Sequence, residues 1–375
     1  MKILSVHISS TPREDAAWWR VTNIAKILRS NGHEVHLIRY VSRSSYRKLK
    51  NKGRYEQDPF VVTSIPIVPI KHLKMLAKED YDLVYGNTHN ATFCSLIGKL
   101  TGTPLIFDMH GELVEEFLLK NESNLSTKVL PKFVLNKLID FMDLYFSNKI
   151  ICVSKKMMEY LHSKKGVLLG KMAYVPNGVN LEFFKPVNDE KVKDRRKLLG
   201  LDDKLVFGYV GAFDKWQGVE NFIEDARKIE DKDLAFLIVG GEKRSRESNI
   251  VFIPKIPRAQ VPDYYSICDV LVLPRPSRIA TEIAAPTKFA EYAAMGKPIL
   301  TTNVGDAADF VKEYECGIVV EDNSPENLIK GINEFRDESK EELKRMGRNS
   351  RRLAENEFDW GKVGINLLKA VELFQ

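Results

Sequence analysis

The chain has 375 residues, 44% of them hydrophobic and 29% charged, and a formal net charge of +6. That length exceeds what one ordinary core supports, so two domains are expected. The charge is too small for a nucleic-acid-binding protein, and no apolar run approaches the roughly 18 residues of a membrane span.

In chain order, MKILSVHI predicts a first strand, WWRVTNIAKILRSNG an amphipathic helix closed by Gly32, and HEVHLIRY a second strand. The segment 42–54 gathers Arg43, Arg47, Lys48, Lys50, Lys52 and Arg54, a basic run able to meet anionic headgroups. FVVTSIPIV, DLVYGN and PLIFDMHG predict further strands, with helices at 71–79 and 91–101. Residues 112–146 read as helical and unusually apolar on one face. KIICVS, KKMMEYLHSKKG and KMAYVPNG then give strand, helix and strand.

LEFFKPVNDEKVKDRRKLLG is charged and contains proline, as linkers often do, and places a domain boundary near 180. A second series follows: LVFGYVGAF, VENFIEDARKI, LAFLIVGG, VFIPKI, AQVPDYYSIC, DVLVLP, PILTTN and GIVV. A last helix, about 360–374, is placed to fold back across both halves. Two βαβ series predict two Rossmann-like domains with parallel sheets facing a cleft, ligands lying beyond the carboxyl ends of the strands. The first domain is 1–180, with the last helix returning to it, and the second is 181–359. The first strand runs into SSTPRED rather than GxGxxG, which counts against an NAD enzyme.

Four scattered cysteines form no CxxC pair and no metal-ligand spacing, and Cys152 and Cys268 lie in apolar runs that read as core. The N-terminus is a strand pattern without a cleavage site, so the expected setting is a reducing cytoplasm. Four Gln against heavy Lys and Glu use hint at a heat-tolerant source. Trp18 and Trp19 read as core or domain-contact aromatics.

The most informative stretch ends in PTKFAEYAAMGKPIL. After the strand DVLVLP, a loop reaches Pro286 and Thr287, and a short helix follows, closed by Gly296 and Pro298. Its first turn offers backbone N–H groups and a positive dipole end to a phosphate. Glu291, one turn in, brings two acceptor oxygens suited to the neighbouring hydroxyls of a ribose.

The ordered landmarks WWRVTNIAKILRSNGHEVHLI, FDMHGE, ICVSKKMMEYL, YVPNGVNLEFFKP, YVGAFDKWQGVENFI, LIVGG, VPDYYSICDVLVLP and PTKFAEYAAMGKPIL span nearly the whole chain. They resemble the retaining GT-B glycosyltransferases of the glycogen synthase and sucrose synthase type, often called family 4. The resemblance implies an α/β GT-B fold and a metal-independent hexosyltransferase with no cofactor. Its donor would be a nucleotide-diphosphate sugar and its acceptor a glycan or lipid-linked hydroxyl. Glu291 matches the second Glu of the Glu–seven–Glu motif, which holds the ribose, and the backbone of Ala285, Pro286 and Thr287 matches the turn that meets the diphosphate. His110 matches an active-site histidine near the transferred sugar. Asn177 and Gly178 match the PNG turn, Gly211 lies in the VGAF loop, and Arg20 heads the first helix. Lys215, Lys288 and Arg275 are the basic residues available to grip the leaving diphosphate.

The chain departs from the family pattern at three points. Counting back eight from Glu291 reaches Ile283, with Glu282 one residue early. Ala212 and Gln217 stand where the family has Arg and Lys. The glycine pair after the first strand is absent, leaving a loop with Thr11, Arg13, Glu14 and Asp15. Two other readings stay open: a nucleotide-sugar 2-epimerase of the same fold, and a non-catalytic subunit that binds a nucleotide sugar. The apolar 112–146 stretch beside the basic 43–54 segment predicts peripheral contact with the membrane's inner face.

Overall fold

The computed structural model describes residues 1–9, 15–42, 44–47, 60–64, 78–122, 129–187 and 189–374. Thr11, Arg13 and Glu14, nearly all of the 71–79 helix, and the basic segment apart from residues 42 and 44–47 lie outside the described residues. The chain forms two compact units, Met1–Pro176 with Val363–Gln375, and Asn177–Lys362.

In the first unit, strands β1 (Lys2–Ile8), β2 (Glu34–Val41), β3 (Phe60–Ser64), β4 (Leu83–Asn87), β5 (Leu105–Met109), β6 (Lys149–Cys152) and β7 (Met172–Tyr174) form one sheet in the order β3-β2-β1-β4-β5-β6-β7. All of its pairings are parallel; β1 runs beside β2 from Lys2↔Glu34 to Ile8↔Tyr40 and beside β4 from Ile3↔Leu83. The strands are near-continuous apolar runs because both faces are covered. Ile3, Leu4, Val6, Leu83, Ile106 and Phe107 are all buried.

The second unit repeats the design with β8 (Leu205–Val210), β9 (Leu234–Gly241), β10 (Ser245–Glu247), β11 (Ile250–Pro254), β12 (Val270–Leu273), β13 (Ile299–Thr302) and β14 (Gly317–Val320), in the order β10-β11-β9-β8-β12-β13-β14. Only the β10–β11 pairing is antiparallel among the described strands. Two apolar clusters cover this sheet, one around Leu237, Leu271 and Tyr292, the other around Phe207, Phe236 and Phe335. Among the parallel strands of each sheet the order reverses once between neighbours, at β1/β4 and at β8/β12. Loops leaving such a pair in opposite directions open a crevice for ligands.

Several segments differ from the sequence expectation. The supposed linker contains the helix Asp189–Leu198, whose basic residues are used in pairing: Arg195 meets Asp263 at 2.7 Å and Arg196 meets Asp269 at 2.7 Å. The 112–146 stretch contains two helices, Leu113–Lys120 and Leu130–Phe146. Trp18 is buried, but Trp19 is partly exposed. The helices Gly305–Glu313, Pro325–Asp337 and Lys340–Leu353 complete the second unit. The last helix, Trp360–Val371, passes from the second unit to the first, where Gly364 packs against Ile27.

Candidate functional site

The second unit concentrates its polar chemistry at the β8/β12 reversal. The helix Thr287–Ala294 begins at Pro286, which gives no side-chain cap, so its first N–H groups are left for a ligand. Lys288, in that first turn, donates to the Tyr209 hydroxyl at 2.8 Å and to Gln217 Oε1 at 2.9 Å, and its ammonium lies 4.2 Å from the Tyr209 ring centre. Arg275, just past β12, is buried and donates to the Thr281 carbonyl at 3.2 Å, while its Nε has no hydrogen-bond partner among the described residues.

Neither cation makes an ion pair among the described residues. Burial, then repulsion from Arg275, pushes the Lys288 ammonium down to about 7. Burial pushes the Arg275 guanidinium down to about 10, so it stays charged at neutral pH. Two neighbouring like charges, one buried and one half-buried, oppose folding, and an anion placed there lowers that cost.

Glycine makes this approach feasible at two points. A Cβ on Gly211 would stand 2.6 Å from Lys288 Nζ. At Gly218, where φ is +68°, a Cβ would fall 1.8 Å from the Pro274 carbonyl oxygen, so this residue holds the post-β8 loop against the post-β12 loop.

Glu291 is buried, with Oε2 accepting from the Tyr265 hydroxyl at 2.9 Å and Oε1 paired with Arg258 at 2.8 Å. Burial raises its carboxyl, and the Arg258 charge opposes that rise. Each oxygen keeps a second lone pair for a ligand hydroxyl. Asn177 donates to the Ala285 carbonyl at 2.7 Å and holds the turn that precedes the helix.

In the first unit, the charged centre lies at the carboxyl end of β5. Arg20, from the helix Ala16–Ser30, grips the buried Asp108 through Nε at 3.0 Å and Nη2 at 2.9 Å. The same guanidinium donates to the carbonyls of Pro176 at 2.8 Å and Val175 at 3.0 Å, joining β5 to the chain leaving β7. Burial alone would raise Asp108, but Arg20 and His110 outweigh it and hold the carboxyl well below the usual range. His110 Nε2 lies 3.3 Å from Asp108 Oδ2. An ionised carboxylate only accepts, so His110 donates to it through Nε2.

Nearby, burial pushes His7 down to about 3, and its buried Nδ1 has no hydrogen-bond partner among the described residues. The turn after His110 is fixed from behind. His89 Nε2 donates to the Gly111 carbonyl at 3.2 Å, and its Nδ1 meets Asp143 at 3.2 Å.

Of the residues singled out from sequence, Lys288, Arg275, Gly211, Glu291 and the turn Ala285–Thr287 are brought together. Lys215 is exposed on its short 3-10 turn and does not join Lys288. Glu282 spends both oxygens locally, accepting from the Gly305 N–H at 2.8 Å and the Ser277 hydroxyl at 2.8 Å, while Ile283 is buried. Cys152 and Cys268 are core. Tyr209, Tyr265 and Arg258 escaped the sequence reading, since a tyrosine in or beside an apolar run carries no mark of its hydrogen bond. Gln217 was visible only as a missing lysine.

Comparison with known proteins follows this division. The profile "Glycosyltransferase Family 4" matches residues 17–183, and "Glycosyl transferases group 1" matches residues 190–353. Spore coat protein SA of Bacillus subtilis is 25% identical over 250 residues, covering 60% of this chain and 64% of that protein. The Escherichia coli UDP-Gal:alpha-D-GlcNAc-diphosphoundecaprenol alpha-1,3-galactosyltransferase is 25% identical over 317 residues, covering 80% of this chain and 75% of that one. Among solved structures, Anabaena HepE in complex with UDP superposes with a TM-score of 0.76 at 17% identity over 100% of both chains. Sucrose-phosphate synthase from Thermosynechococcus elongatus gives 0.74 at 19% identity, over 99% of this chain and 98% of that one. These superpositions speak for the fold. The chain belongs to the group 1, family 4 glycosyltransferases and has their GT-B fold of two Rossmann-like domains.

Proposed function

We propose that the protein transfers a hexose-type sugar, with retention and without a metal ion, from a nucleotide-diphosphate sugar to an acceptor hydroxyl. The observation that carries this reading is the pair of cations, half-buried Lys288 and buried Arg275, neither of them in a salt bridge among the described residues, beside an uncapped helix N-terminus. As the glycosidic bond to the β-phosphate lengthens, negative charge grows on the leaving diphosphate while the sugar becomes cationic. Fixed cations and N–H groups aimed at the leaving oxygen lower that barrier, by about 3–4 kcal/mol for each strong donor. They take the part a divalent ion plays elsewhere.

Glu291 receives the ribose hydroxyls. His110, held by Asp108 through Nε2, turns its other ring nitrogen to a hydroxyl of the sugar or of the acceptor. Support for a nucleotide-sugar donor also comes from HepE, solved with UDP-glucose, and from the E. coli relative, whose name specifies UDP-Gal and a diphosphoundecaprenol acceptor. A lipid-linked acceptor is the corresponding reading here. Such an acceptor would place the protein at a membrane surface.

A donor-binding subunit without transferase chemistry is favoured by Glu282, tied to Gly305 and Ser277, and by the exposed Lys215. One assay separates the readings. The protein is incubated with UDP-, GDP- or ADP-hexose and a lipid-diphosphate acceptor, in excess EDTA, and the product is examined by proton NMR. Transfer with the donor's α configuration kept is expected. Inversion, a requirement for divalent metal, or nucleotide binding without turnover contradicts the proposal. Conversion of the donor sugar without acceptor points instead to the epimerase.

A further inference from the structure

The helix Leu130–Phe146 is inside out. Its buried face carries Asn136, Asp140 and Asp143 alongside Ile139 and Leu144. Asp140 pairs with Lys165 at 2.8 Å, and Asp143 meets His89 at 3.2 Å. The outward face is apolar: Leu130, Val134, Leu138, Phe141 and Tyr145 recur at helical spacing, flanked by Leu135 and Phe146, all between 43% and 66% exposed. Phe141 stacks on Tyr145 at 5.6 Å, and Tyr145 meets Phe146 edge-on at 5.0 Å, forming an aromatic ridge.

A helix of 17 residues spans about 25 Å, and an apolar stripe of that length on a folded surface normally has an occupant. The charges beside it identify which kind. Both acids of the helix are turned inward, and the basic side chains it exposes are Lys132 and Lys137, each over an aromatic ring, Phe117 at 5.7 Å and Phe133 at 4.7 Å. A second copy docked by twofold symmetry would bring this cationic rim against itself. A layer of anionic headgroups neutralises it, while the acyl boundary takes up the leucines and the aromatic ridge.

We propose that the outward face of Leu130–Phe146 docks in the plane of an anionic bilayer. The inference stands apart from the nucleotide site. Its link to chemistry is the opposite face of the same helix, where Asp143 and His89 fix the turn that follows His110. A sugar acceptor carried on a lipid would therefore be delivered to the unit holding His110.

Flotation of the full chain with vesicles tests the proposal. Pure phosphatidylcholine is compared with the same lipid containing phosphatidylglycerol as the minor component. The native protein is expected to float with the anionic vesicles and to be partly released by salt. Leu138→Gln with Phe141→Gln lowers the partition coefficient about tenfold. Lys132→Glu with Lys137→Glu removes the preference for phosphatidylglycerol. All four positions are exposed, so an unchanged thermal midpoint verifies that the variants fold. Failure of the native protein to float, or equal flotation of the apolar double variant, overturns the proposal. So does a dimer in light scattering that the same double variant dissociates, because the face would then be a self-interface.

Discussion

Lys288→Met is expected to lower kcat/KM by about a hundred- to a thousandfold, the loss that follows when one donor to a developing oxyanion is removed. The same change is expected to raise the thermal midpoint, because it relieves the repulsion between Lys288 and Arg275, two cations close together with no salt bridge to either among the described residues. Opposite movements of activity and stability separate a functional cation from a structural one. A lysine that merely packed on Tyr209 would lower both.

The pH dependence has a definite sign. With its pKa brought down to about 7 by burial and by Arg275, the ligand-free ammonium loses its proton as pH rises through that value. A diphosphate binds the charged form, so binding above neutrality takes up a proton. The apparent Kd should rise by up to about tenfold per pH unit over that range. Calorimetry in buffers of different ionisation enthalpy reads the proton directly. In Lys288→Arg the charge persists at alkaline pH, and the slope should flatten. An equal slope in both proteins would place the titrating group elsewhere.

The second large effect lies in the first unit. Asp108→Asn leaves the Arg20 guanidinium buried with no counter-charge, a change that costs about 3–5 kcal/mol. It should appear in urea denaturation as an earlier transition reported by the first unit. Replacing both residues, Arg20→Met with Asp108→Leu, should recover part of the loss, because what is expensive is the lone charge. Asp108 has a depressed pKa, so its contribution is fully present above the unfolded value of about 4 and is lost as pH falls through the lower folded value. Acid unfolding should therefore begin below about pH 4 in the native protein. The double variant should show less of it.

The strands and both sheets were readable because parallel strands buried on two faces are short apolar runs between turn signals. The helix at 287–294 was readable because Pro286 and Gly296 bracket it. Side-chain direction was harder. The apolar face of Leu130–Phe146 was readable, but not that its other face buries Asn136, Asp140 and Asp143, since the partners of the two acids, Lys165 and His89, come from distant parts of the chain. The loop after β8 reads as supplying its own cation, and Lys215 is the lysine within it. The structure instead fills the place beside Gln217 with Lys288, which enters past Gly211 from a helix 71 residues further along. Spacing also could not reveal that Asp189–Leu198 folds, because its contacts are salt bridges to Asp263 and Asp269 rather than an apolar stripe.

The most direct test of a diphosphate cradle at Lys288 and Glu291 is calorimetric titration of UDP, GDP and ADP in EDTA, into the native chain and Glu291→Ala. One diphosphate should bind to the native protein without metal. The variant should bind it about tenfold or more weakly while still binding inorganic pyrophosphate, because it loses the ribose contact and keeps the cations. Binding that needs a divalent ion, or a variant indistinguishable from the native chain, would contradict the account.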